Sequence, residues 1–188
     1  LPGVVFTPEK GFNLPGVAFG HDWLAGADRY QGTLEHLASW GIVAAAPATE
    51  TGVAPSVLNF AFDLGTTLDI STGVRLGPGQ ISVHPAKLGV VGHGFGGSAA
   101  VFTAAGLPRK PKAVAALFPS VTQPRAEEPA ATLNVPGLIL TAPGDPMTLR
   151  SNAVELARAW PTATLRAVDK GKAATDKPFG INIRADAG

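Results

Sequence analysis

A chain of 188 residues with 45% hydrophobic content has room for one globular core that needs neither metal nor disulfide to hold it. Fifteen Lys and Arg against fourteen Asp and Glu leave a net charge of +1 with no basic cluster, which argues against a nucleic-acid partner. The absence of cysteine excludes thiol catalysis, thiolate metal sites and a disulfide framework, and leaves the compartment open.

The chain opens on Leu1-Pro2-Gly3-Val4, without an initiator Met or a basic n-region, and reads as a processed or trimmed start. No run of about 18 apolar residues is present, so a soluble chain without a membrane span is expected. Short β-branched and alanine-rich runs predict strands near Val4–Thr7, Val17–Gly20 and Ile42–Ala46. Between the second and third, Arg29–Ser39 carries Tyr30, Leu34 and Leu37 at helical spacing, with Asp28 as the expected N-cap and Gly41 as the stop. A second helix is predicted over Val57–Ile70, with Leu58, Phe62 and Leu68 on its apolar face. Gly77-Pro78-Gly79 and the stretch Pro119–Asn134 read as loops. Further strands are expected at Leu88–Gly92, Ala113–Phe118, Leu138–Ala142 and Thr164–Val168, and helices at Gly97–Ala105 and Arg150–Trp160. Residues Gly180–Gly188 have few anchors and read as a frayed terminus. Strands alternating with helices predict a mostly parallel sheet covered on its faces, in a single domain spanning residues 1–188 with no clear lid.

The most informative segment is Lys87-Leu88-Gly89-Val90-Val91, which runs directly into Gly92-His93-Gly94-Phe95-Gly96-Gly97 and then into Ser98-Ala99-Ala100-Val101-Phe102. Strand, tight turn and helix make a nucleophile elbow, whose central residue is held in a strained conformation while small residues on either side let the turn close. Gly92 and Gly96 fill the flanking roles. Here the chain resembles the α/β-hydrolase superfamily, and within it the dienelactone hydrolases and the cutinase-like bacterial polyester hydrolases, whose usual text is G-H-S-x-G-G. The resemblance extends to Val17-Ala18-Phe19-Gly20-His21-Asp22-Trp23, similar to the family's oxyanion-loop strand, and to Tyr30–Trp40 with Gly41-Ile42-Val43-Ala44-Ala45-Ala46-Pro47. It continues through Pro136-Gly137-Leu138-Ile139-Leu140-Thr141-Ala142-Pro143-Gly144-Asp145, where the family presents its triad acid.

The resemblance implies an α/β-hydrolase fold, an acid at Asp145, and an oxyanion hole made by the amide of Phe95 with one near Asp22 or Trp23. It also implies a serine at position 94, where this chain has Gly94, and a histidine after Asp145, where none occurs and Lys172 stands at the approximate place. Acyl-enzyme chemistry needs both nucleophile and base, and an acid alone orients nothing. Glycine at the elbow also avoids roughly 1–3 kcal/mol of backbone strain. An engineered Ser-to-Gly change would not remove the histidine as well, so the paired absence favours natural loss.

Other readings weigh less. Gly92, Gly94 and Gly97 also spell G-x-G-x-x-G, but the acid expected about twenty residues on is missing at Leu117-Phe118-Pro119-Ser120. His21 and His93 fall at strand ends near Asp22 and Asp145, yet their spacing matches no metal-ligand pair, so neither a metal nor a cofactor is expected. Trp23, Phe95 and Met147 are candidates to line a pocket, or else ordinary packing residues. Ser98 reads as a core-facing serine at a helix start, His36 as solvent-facing or packed on the first helix, and His84 as a loop residue.

The functional expectation is a catalytically degenerate hydrolase-fold protein that keeps a pocket for a small apolar or ester-like ligand, or a surface for a protein partner. The alternatives are an active carboxylic-ester hydrolase with a displaced nucleophile or base, and a purely structural subunit.

Overall fold

The computed structural model describes residues 1–143, 145 and 147–168. Seven strands form one sheet: β1 (Gly3–Phe6), β2 (Gly11–Gly20), β3 (Val43–Pro47), β4 (Ile81–His93), β5 (Ala113–Leu117), β6 (Gly137–Thr141) and β7 (Ala163–Ala167). Their spatial order is β1-β3-β2-β4-β5-β6-β7, and every neighbouring pair is parallel except β1 with β3. Each predicted strand is found. β2 and β4 begin well before the predicted starts, because Gly11 pairs Ile81 and Leu14 pairs Val83 ahead of the main register. His84 therefore lies within β4 and not in a loop, its Nδ1 accepting from the N–H of Ala86.

Alternation along the strands sends successive side chains to opposite faces. Ala18, Val90, Val114, Ala116 and Ile139 face one layer, built from α2 (Val57–Gly73), α3 (Phe95–Gly106), the short α4 (Glu127–Ala130) and α5 (Arg150–Ala159). Phe19, Ala44 and Ala46 face the other, where Leu34 of α1 (Gln31–Ser39) and Tyr30, the residue before it, cover them.

Three local expectations are corrected. Asp28 does not cap α1: it lies in a 3-10 turn, Ala27–Tyr30, that leads into the helix, and α1 starts without a side-chain cap. Gly41 does stop it, at φ +81° with its N–H on Ala38 O. On α2 the buried stripe is Phe60, Leu64 and Leu68, four residues apart, while Leu58 and Phe62 face solvent. Both apolar sets have helical spacing, so only the sheet's position selects between them. The predicted loop 119–134 contains α4.

Candidate functional site

The site lies at the carboxyl ends of β2, β4 and β6, the edge where parallel sheets of this kind place their ligands. β4 ends at His93, Gly94 follows at φ 56° and ψ −117°, and α3 begins at Phe95. That conformation is rarely adopted by a residue with a side chain, and the elbow backbone is kept although glycine occupies its apex. It is pinned on both sides: Gly94 N–H donates to Leu117 O, and Gly94 O accepts from the N–H groups of Gly97 and Ser120.

The end of β2 is brought against the elbow by glycines. A Cβ on Gly96 would overlap Gly20 O, and a Cβ on Gly92 would overlap Gly96 O, all backbone contacts that no rotamer change relieves. Removing those side chains lets the residues after β2 approach the first turn of α3. As a result Asp22, buried at 7% exposure, reaches the elbow. Its Oδ1 accepts two N–H bonds, from Phe95 and from Trp23, each at 2.8 Å. The resemblance assigns an oxyanion hole to the Phe95 amide and one near Asp22 or Trp23, and the oxygen that the Phe95 and Trp23 amides hold belongs to the chain's own carboxylate. The same carboxylate fills the space of the absent side chain, since a Cβ built on Gly94 would overlap Asp22 Oδ1 and Cγ.

Tyr30 connects this group to the other face. Its hydroxyl accepts from Asp22 N–H at 3.0 Å and lies 2.8 Å from His93 Nδ1. A hydroxyl that accepts from an amide can donate onward, and His93 Nδ1 lies within its reach. Burial pushes the His93 imidazole down to about 4, opposed by the charge of Asp145, and the ring is neutral at ordinary pH. Burial raises the Asp22 carboxyl above its ordinary value despite the Phe95 and Trp23 N–H bonds and the charge of His21, and Asp145 adds to the rise. Burial likewise raises the Tyr30 hydroxyl. His21 is anchored by its carbonyl neighbours, with Nδ1 2.9 Å from Asp22 O and Nε2 2.7 Å from Thr49 O.

Asp145, also buried, spends its carboxylate on its own loop. Oδ1 accepts from the N–H groups of Met147 and Thr148, and Oδ2 from the Thr148 hydroxyl. Ser98 is buried with its hydroxyl donating to Ser120 O, in keeping with the core-facing reading. Phe95 is buried and stacks on Phe60, with ring centroids 5.9 Å apart. Trp23 and Met147 are instead about half exposed, and Trp23 Nε1 donates to Val53 O. Lys172 lies outside the described residues.

Asp22, Trp23, Phe95, Gly94, His21 and His93 are thus gathered around one point. Asp145 acts on it through charge and makes no hydrogen bond to it among the described residues. Sequence reasoning missed Tyr30 as the hub and read it only as a helix-face residue; nothing in its spacing distinguishes a phenol that packs from one that bridges. It missed as well the strain at this edge. Leu24, Glu50 and Phe118, shortly after β2, β3 and β5, all have φ near +50° without being glycine, a cost held by the surrounding fold and concentrated at sites. Among the described residues no group of three or more His, Cys, Asp or Glu could hold a metal, and no helix is long and apolar enough to cross a membrane.

A model of the dienelactone hydrolase family matches residues 1–167. Among curated proteins none matches the chain. Solved structures with a similar fold include the acetyl xylan esterase from Paenibacillus sp. R4, with TM-score 0.74, 16% identity, and coverage of 92% of this chain and 74% of that one. Another is a protein of Klebsiella pneumoniae subsp. pneumoniae MGH 78578 assigned as a dienelactone hydrolase, with TM-score 0.69, 18% identity, and coverage of 88% and 78%.

Proposed function

The chain belongs to the dienelactone hydrolase family, and from that premise we propose that it is a non-hydrolytic member, an α/β-hydrolase fold that binds a small ligand at the elbow without cleaving it. The observation that carries this reading is the occupancy of the elbow. Gly94 offers no nucleophile, and the Asp22 carboxylate holds both amides that would stabilise an oxyanion.

An acyl transfer needs a nucleophile, a base hydrogen-bonded to it, and donors free to receive the developing charge. The first has no candidate at position 94. Ser98, one turn further on, is buried and engaged by Ser120 O. His93, the histidine beside the elbow, offers Nδ1 to the Tyr30 hydroxyl. The donors hold an oxygen already. Loss of chemistry with retention of the hole leaves recognition as the function that the geometry supports best.

The test is the hydrolysis of p-nitrophenyl acetate and butyrate by the full chain, alongside labelling with a fluorophosphonate. Rates at the buffer background and no label are expected. Turnover at ordinary enzyme rates that is abolished by Asp145→Ala overturns the reading in favour of an active ester hydrolase.

A further inference from the structure

Two N–H donors from separate segments converge on one carboxylate oxygen at the Asp22 side chain, the arrangement by which proteins hold an anionic oxygen. The frame of that hole stands without the carboxylate. Asp22 N–H donates to the Tyr30 hydroxyl, Asp22 O accepts from Ala25 N–H at 3.1 Å, and His21 Nδ1 lies 2.9 Å from the same carbonyl. With the main chain held by three contacts, rotation about the side-chain bonds of Asp22 alone vacates the hole, and the donors stay in place.

Segments that follow the strands at this sheet edge leave large apolar side chains in water. Trp23, Val53, Val121, Met147 and Leu149, from the segments that follow β2, β3, β5 and β6, are between 46% and 79% exposed. Trp23 Nε1 on Val53 O ties two of these segments together. Large apolar residues left in water by four segments at one sheet edge mark a surface that a ligand covers.

We infer that Asp22 is an internal ligand of this hole, displaceable by the head group of an apolar monocarboxylic acid whose tail packs on that rim. The inference rests on the non-hydrolytic reading above, since it assigns the hole to a carboxylate at rest and not to a transition state. The exchange is balanced in charge: one carboxylate enters as another leaves, so Asp145, satisfied by its own loop, faces the same neighbour before and after. Asp22 returns to water and regains the hydration that burial had removed. The tail supplies the discrimination, roughly fourfold in affinity for each methylene buried, so a carboxylate without a tail cannot compete with a tethered one.

Titration of the full 15N-labelled chain with octanoate, acetate and octan-1-ol tests this. Octanoate is expected to shift the amides of Phe95 and Trp23 saturably, acetate at the same concentration to leave them in place, and octanol to leave those two amides unmoved. Asp22→Ala, which removes the competitor, is expected to bind octanoate at least tenfold more tightly, and Asp22→Asn, which keeps the shape with a weaker acceptor, to fall between. Should Asp22→Ala melt without a cooperative transition, the comparison of Asp22→Asn with wild type decides. Octanoate affinity unchanged by the substitution, or amides of Phe95 and Trp23 that never move, overturns the inference. Ester turnover by the wild-type chain overturns the non-hydrolytic reading, whereas an octanoate failure without turnover overturns this inference alone.

Discussion

The carboxylate of Asp22 occupies the volume that any side chain on Gly94 would require, although the two residues follow different strands, β2 and β4, and lie 72 positions apart. The positions are therefore coupled. A serine at position 94 meets both an unfavourable φ of +56° and the oxygen of Asp22, so restoring the family's residue does not restore the family's site. Gly94→Ser is expected to lower stability by about 1–3 kcal/mol from backbone strain alone, with more from the overlap, and to show no esterase activity. Adding Asp22→Ala should recover part of the loss, a coupling of about 1 kcal/mol or more in a double-mutant cycle read by urea unfolding. Additive losses would contradict the overlap.

Tyr30→Phe removes one oxygen and strands two buried groups, Asp22 N–H and His93 Nδ1. Each unpaired buried group costs about 1–3 kcal/mol. A loss near the upper part of that range, larger than for Tyr-to-Phe at a solvent-facing hydroxyl, is expected in chemical denaturation.

His93 gives the fold a defined acid sensitivity. Its ring titrates near 6.5 when unfolded and about 4 when buried, so the unfolded chain takes the proton first as pH falls. The contribution is complete above pH 6.5 and is lost as pH falls through about 4, a total of roughly 3 kcal/mol. His93→Gln should be less stable than wild type at pH 7 and should lose less between pH 7 and 4. Parallel stability curves for the two proteins would contradict this.

Asp22 has the opposite sign. Its carboxyl is raised in the folded state, so the folded chain holds that proton more tightly, and the benefit is complete below the unfolded value of 3.8 and lost as pH rises above it. The stability of wild type relative to Asp22→Asn should therefore fall from pH 3 to pH 7. A difference that rises with pH would show that the two N–H bonds outweigh burial.

Gly96→Ala is expected to abolish folding or to cost well beyond the ~1–3 kcal/mol typical of overpacking, because the new Cβ overlaps Gly20 O and lies 2.5 Å from His21 O, both main-chain atoms. Gly52→Ala, with nothing within 4 Å of the added Cβ, is the matched control, expected within about 0.5 kcal/mol of wild type by thermal melting.

Much of the site was legible along the chain, for reasons particular to each residue. Gly92, Gly94 and Gly96 were readable because a strand-turn-helix elbow imposes fixed spacing on small residues, and that spacing survives loss of the serine. The Phe95 amide and one near Asp22 or Trp23 were expected from the backbone roles attached to that pattern, which do not depend on side chains. Leu58 and Phe62 misled because the two sides of α2 carry similar apolar spacing, and Asp28 because a residue able to cap a helix need not stand at its start.

The sequence by itself determined the succession of strands and helices, the elbow, and the absence of serine at position 94 and of histidine after Asp145, since these depend on local spacing and residue type. Only the tertiary structure decided that the Asp22 carboxylate accepts from the Phe95 and Trp23 amides and that Tyr30 spans Asp22 and His93. Those relations depend on how closely the end of β2 approaches the first turn of α3 across the Gly20–Gly96 contact, and a distance between segments far apart in the chain has no signature in the residues that flank it.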